Sequence, residues 1–212
     1  MQPPKSDICV LCGVRPAETV DHVPPKGFFK GVVNAQLPTV PACWTCNNGA
    51  SSDDEDLRFY ISTQIGMQNP ASRKLWEDGA HKTILRKPKL REAFLATIKK
   101  TSVVGEDGSS IERTAFILPV EPYKRVFERT TRGLYFFHRG RILPAMVPVF
   151  VTMLTGTLIM DTEMRLLSMH TIGEGAFVYR YGVAPEDVDS STWIYEFHQA
   201  HWALVKTGAL VE

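Results

Sequence analysis

Apolar positions along this chain change their period about halfway. In the first helical stretch Leu57, Tyr60, Ile61 and Ile65 recur every three or four residues, which predicts an amphipathic helix. Ser52 and Glu55 have the spacing of a capping box at its start, and Asp53 and Asp54 suit the positive end of the helix dipole. Pro70 breaks the pattern, a short helix is predicted over 71–78 with Gly79 as its end, and Leu90, Phe94, Leu95 and Ile98 mark a further amphipathic helix. From Thr101 the pattern favours strands. Two of them, over 101–104 and 111–118, flank the turn signal Gly105-Glu106-Asp107-Gly108. A helix is predicted over 119–132, with Pro122 near its start and Gly133 closing it. The aromatic run 134–138 then reads as a buried strand, and further strands are expected over 147–154, 175–183 and 193–204. The pattern predicts an α+β chain with mostly antiparallel strands in its second half.

Composition narrows the classes without choosing among them. Of 212 residues, 44% are hydrophobic and 22% charged, ordinary values for a globular protein with a real core. A formal net charge of +1 excludes the bulk basicity of a nucleic-acid coat, while leaving room for a local basic patch such as Lys87, Lys89, Arg91, Lys99 and Lys100. The opening MQPPKSDICV lacks an apolar signal core, and the longest apolar run, 142–154, is interrupted by Pro144 and Pro148. A cytoplasmic protein is expected. Serine-hydrolase, P-loop and dinucleotide fingerprints do not occur.

The chemistry is concentrated near the N-terminus. All four cysteines lie in two C-x-x-C pairs, Cys9 with Cys12 and Cys43 with Cys46. In a reducing compartment such pairs are read as metal ligands before disulfides, and four thiolates can close a tetrahedral shell around a structural Zn²⁺. Between the pairs stand Asp21 and His22, and Asn47 follows the last cysteine directly. Phe28, Phe29, Val32 and Val33 are expected to pack this segment onto the rest of the chain, with Gly13, Gly27 and Gly31 at turns.

Asp21-His22-Val23-Pro24 and Cys43-Trp44-Thr45-Cys46-Asn47 resemble, in residue type, order and spacing, the first and last motifs of the HNH endonuclease family. That family's ββα-metal fold often carries four zinc-binding cysteines. The resemblance covers the first quarter of the chain. It departs at Pro38, near where the family usually has Asn or His, and at Ala50, where a basic residue is common. It implies a zinc-bound ββα module over 1–68, followed by an α+β part over 69–212 whose role it leaves open.

The residue types suit phosphodiester hydrolysis, which needs a base for the attacking water and a cation at the leaving oxygen. His22 would be the base, because imidazole titrates near neutrality. Asp21 and Asn47 would hold Mg²⁺ or Mn²⁺, which prefer oxygen ligands. Lys26 and Lys30 are candidates for phosphate contact, with DNA placed ahead of RNA as the nucleic-acid partner. The acidic run 53–56 is read first as a helix start and second as a source of extra ligands. The alternative function is a zinc module that binds nucleic acid or a protein partner without cutting. His81, His138, His170, His198 and His201 are read as structural.

Overall fold

The computed structural model describes residues 5–63, 70–105, 108–154, 165–199 and 201–209. It is an α+β protein. The expected boundary at residue 68 and the end of the first apolar stripe, Ile65, lie outside the described residues.

The N-terminal segment is a small ββα unit. Strands β1 (Thr19–His22) and β2 (Thr39–Ala42) pair antiparallel, with Asp21 opposite Val40 and His22 opposite Thr39. Helix α1 (Trp44–Asn47) leaves β2 through Cys43. It continues through a 3₁₀ turn, Asn48–Ala50, into α2 (Ser51–Ser62). The expected capping box does not form: α2 begins without a side-chain cap. Because α1 leads almost directly into α2, the backbone around Ser52 already follows helical geometry and Ser52 is free to take another partner. The Ser52 hydroxyl accepts from Lys87 Nζ at 3.0 Å, and Glu55 and Asp56 also lie on that ammonium at 3.4 and 2.7 Å. The acidic turn therefore binds the start of a later helix.

Helix α3 (Pro70–Leu75) runs into a π turn, Trp76–Ala80, where Gly79 takes a left-handed φ of 124°. Gly79 was expected to stop the helix. It kinks it instead, and the chain continues as α4 (His81–Arg86), a helix that the periodicity had not marked. Helix α5 (Pro88–Thr97) and the exposed hairpin of β3 (Lys99–Val104) and β4 (Ser110–Ala115) follow as expected.

The predicted strand over 134–138 does not exist. Helix α6 spans Val120–Arg139 without interruption, and Gly140, at φ 66°, closes it with its N–H on Phe136 O. Every residue from Arg129 to Phe136 is buried. This stretch passes between the ββα unit and the C-terminal sheet and is covered on all sides. A continuous apolar run of this kind has no visible period, so periodicity cannot tell a buried helix from a buried strand. Gly133 lies inside the helix at its closest approach to the ββα unit, where a Cβ would come within 2.5 Å of Val23 Cγ1.

The C-terminal sheet has the order β5-β9-β8-β7-β6, all neighbours antiparallel. Its strands are β5 (Val149–Leu154), β6 (Ser168–Ile172), β7 (Phe177–Val183), β8 (Ser191–Phe197) and β9 (His201–Thr207). The stretch expected as one strand over 193–204 is a hairpin, with Phe197 opposite His201 and the turn at His198 and Gln199. Alternation of side chains survives a tight turn, so the pattern alone ran the two strands together. Trp193, Tyr195 and Phe197 alternate along β8 and are buried. Phe127 of α6 packs on Tyr195 and Phe197, and Thr131 Oγ1 lies 2.8 Å from the Tyr195 hydroxyl.

The aromatic residues after β1 lock the two ends of the chain together, as their apolar pattern predicted. Phe28 meets Phe197 and Phe29 meets Phe177, both edge to face, with centroids 5.4 and 6.3 Å apart. Val33, by contrast, is exposed. Among the described residues no helix is long and apolar enough to cross a membrane.

Candidate functional site

The four cysteines converge. Their sulfurs all lie within 4.8 Å of one another, close to the edge of about 3.8 Å in a tetrahedron built on metal–sulfur bonds of about 2.3 Å. Local backbone geometry makes this possible. In the first knuckle Gly13 N–H donates to Cys9 O at 2.8 Å, and Gly13 has the positive φ, 69°, that turns the loop under the two sulfurs. In the second, Asn47 N–H donates to Cys43 O at 3.1 Å, so the start of α1 holds Cys43 and Cys46 on one side. The knuckles meet because Val10 N–H donates to Pro41 O at 3.0 Å.

Hydrogen bonding with Cys46 pulls the Cys9 thiol down to about 4 against the upward effect of burial, and the same bond pushes Cys46 up. Close sulfurs that share a proton in this way form a soft, negatively charged donor set. The cluster can hold a metal ion, and Arg15 Nη1, 4.0 Å from Cys43 Sγ, adds outer positive charge.

Asp21 and His22 occupy the end of β1, beside the cis Val23–Pro24 bond. Asp21 Oδ1 accepts the His22 backbone N–H at 2.8 Å, which turns its carboxylate back along the strand. Its Oδ2 is buried without a hydrogen-bond partner among the described residues. Burial pushes the Asp21 carboxyl up, while the Arg129 guanidinium, 3.8 Å away, opposes this. Burial, aided by the charge of Lys26, pushes the His22 imidazole down, so it is neutral at pH 7 and able to accept a proton.

Asn47 ends α1 over the same strand. Its Nδ2 donates to Thr19 Oγ1 and to Val20 O, both at 3.1 Å. The amide nitrogen is thereby committed to β1, and the carbonyl oxygen is the group left to act as a ligand. Lys26 lies in the 3₁₀ turn Lys26–Phe29, Lys30 follows it, and both are exposed. Pro38 cannot support His22 with a side chain; its carbonyl accepts the Val23 N–H at 2.9 Å. Among the described residues no side chain hydrogen-bonds the His22 ring.

Arg129 is the residue that sequence reasoning missed. It is buried in α6 and stands between two carboxylates, with Nη2 hydrogen-bonded to Asp54 Oδ1 and Nε facing Asp21. Burial raises Asp54 to about 6; Arg129 works against this rise, and Asp21 and Asp53 add to it. Next to it Arg125 makes two bonds to Asp53, at 2.7 and 2.9 Å. The acidic run thus binds α6 and the Lys87 turn. Nothing local marks Arg129 in the sequence, because its partners lie in other elements. By contrast, the neighbouring buried Arg132 is spent on Glu128, at 3.0 Å, and on backbone carbonyls, including Val147 O at 2.9 Å.

No protein-family model, no curated protein and no solved structure matches this chain.

Proposed function

We propose that the protein is a metal-dependent HNH-type endonuclease with a structural Zn²⁺ on Cys9, Cys12, Cys43 and Cys46. The observation that carries this reading is the placement of Asp21 and His22 at the end of a strand whose partner helix, tied to it by the Asn47 amide, begins at a four-cysteine cluster.

The donor chemistry fits a second, catalytic ion. Among the described residues the buried Asp21 Oδ2 has no hydrogen-bond partner, and the Asn47 hydrogen bonds to β1 use its Nδ2, which leaves the carbonyl oxygen to a ligand. Both are hard oxygen donors of the kind Mg²⁺ or Mn²⁺ takes. Asp21 and Asn47 would hold that ion, which supplies positive charge at the scissile phosphate. His22, neutral at pH 7, takes the proton from the attacking water. Lys26 and Lys30 meet the phosphate backbone of the nucleic acid, DNA by preference, and a cytoplasmic setting suits the thiolate cluster.

The experiment is cleavage of plasmid and single-stranded DNA in Mg²⁺, Mn²⁺ or EDTA, with His22→Ala in parallel. Cutting that needs the divalent ion and disappears in the variant is the expected result. Equal cutting by His22→Ala would remove His22 from the mechanism.

A second reading is a zinc module that binds nucleic acid or a protein partner without cutting it. That no side chain among the described residues orients the His22 ring, with Pro38 nearby, favours it. Retarded DNA migration without cleavage in any of the metal conditions would select this reading.

A further inference from the structure

One edge of the C-terminal sheet is open. Strand β5 pairs with β9 on one side, and among the described residues no strand pairs with its other side. Gly208 N–H donates to Pro148 O at 3.2 Å, and in an antiparallel ladder such hydrogen-bonded pairs alternate with pairs that are not. The register then sends the N–H and C=O of Phe150, Thr152 and Leu154 toward β9. Those of Val149, Val151 and Met153 point outward, a row of donors and acceptors at strand spacing. Another strand satisfies such a row along its whole length.

The side chains along this edge do nothing to keep a strand away. Proteins blunt sheet edges with charged residues, proline, a bulge or a very short strand. Val149–Leu154 reads Val-Phe-Val-Thr-Met-Leu, with no charge and no proline inside it, and its register to β9 runs unbroken. Phe150 and Met153 are 38% and 40% exposed. The other open edges are guarded. The β3–β4 hairpin carries Lys99, Lys100, Glu112 and Arg113. The β1–β2 ribbon has strands of only 4 residues and contains Pro41. At the far edge of the C-terminal sheet, β6 is polar at Ser168, His170 and Thr171.

We propose that β5 pairs antiparallel with β5 of a second copy of this chain across a two-fold axis, joining two five-stranded sheets into one. The edge fits its own copy because it is self-complementary. With the axis at Val151, the outward groups of Val149 meet those of the partner's Met153, and Phe150 stands opposite the partner's Thr152. Uncharged side chains then adjoin on both faces, whereas a charged segment would set its charge against Val149, Val151 and Met153. The flank of the edge agrees. Lys124 of α6 borders the same hollow as Val149, Phe150 and Thr152; Glu121 lies 3.9 Å from its ammonium, and both are exposed. The axis sets this pair against its own copy running the other way, so that acid faces base. Both β5 edges are consumed, and the assembly closes as a dimer. It needs none of the residues assigned to cleavage and stands or falls separately from that reading.

The test is sedimentation equilibrium of the full chain over about 1–100 μM, a range that brackets a weak interface. A species of twice the 23.8 kDa chain mass is expected. Thr152→Lys puts a charge on the exposed edge, and Met153→Pro removes an outward N–H while sparing the β9 ladder. Each should sediment as the monomer while melting like the parent. Amide exchange reads the interface without a variant: Val149, Val151 and Met153 N–H should slow as concentration rises, and those of Phe150, Thr152 and Leu154 should not change. If either variant melts early, the exchange measurement decides. A parent that stays monomeric throughout the range overturns the proposal. So does a dimer that both variants retain, growth beyond the dimer, or outward amides whose exchange ignores concentration.

Discussion

Arg129 Nε lies 3.8 Å from Asp21 Oδ2, so a helix from the second half of the chain supplies the counter-charge for the carboxylate at the end of β1. The same guanidinium holds Asp54. The arrangement ties the candidate site to the rest of the fold, and several measurable consequences follow from it and from its neighbours.

Removing this cation strands two carboxylates in a half-buried setting. Arg129→Ala is expected to cost about 3 kcal/mol, the usual result of breaking a buried ion pair from one side. Urea denaturation of parent and variant measures it. An unchanged midpoint would mean that Arg129 contributes nothing to holding Asp21 and Asp54.

Gly133→Ala sets two effects against each other. Alanine favours helix by about 1 kcal/mol over glycine. Its Cβ, however, would lie 2.5 Å from Val23 Cγ1 and 3.1 Å from Val23 Cβ, and Val23 is buried beside His22. Overpacking costs about 1–3 kcal/mol, so net destabilisation is expected. Thermal melting gives the sign, and a more stable variant would show that α6 can shift away from Val23 freely.

Cys43→Ser removes one corner of the sulfur cluster. Zinc content by mass spectrometry is expected to fall from one ion per chain to none, with loss of order in the ββα unit, since structural metal binding is itself folding free energy. A variant that keeps its zinc and its melting temperature would show that the cluster does not hold the metal as proposed.

Acid should weaken the fold through its buried histidines. Burial lowers His201 and His138 to about 4, with His170 adding to the effect on His138. Their unfolded values are near 6.5, so the unfolded chain binds protons first. The stability they contribute is complete above pH 6.5 and is lost as pH falls toward 4. Asp54 runs the other way: raised to about 6, it favours the fold below pH 3.8 and loses that contribution as pH rises through 6. The two histidines outweigh the one carboxylate, and a net loss of about 2 kcal/mol between pH 7 and pH 4.5 is expected. His201→Phe, which keeps the packing on Tyr123 and Phe127, should show a shallower loss. Comparing the two proteins separates the imidazole from protonation of the cysteines. Identical slopes would rule His201 out.

The sequence by itself determined the features that depend on neighbours in the chain. Cysteine spacing defines each knuckle, Phe28 and Phe29 announce a buried seam, and the amphipathic stripes place α2 and α5. Asp21, His22 and Asn47 could be picked out together as candidates because their motifs are local. Tertiary structure decided what depends on distant contacts. The run 134–138 is helical because α6 is covered on every side, and no period survives full burial. Gly133 serves close approach to Val23, not helix termination, and Gly140 ends the helix in its place. The acidic turn 53–56 found Arg125, Arg129 and Lys87, cations that only the folded chain brings within reach. Local propensity and spacing are properties of a few consecutive residues, whereas burial and charge pairing are set by whatever the fold places opposite.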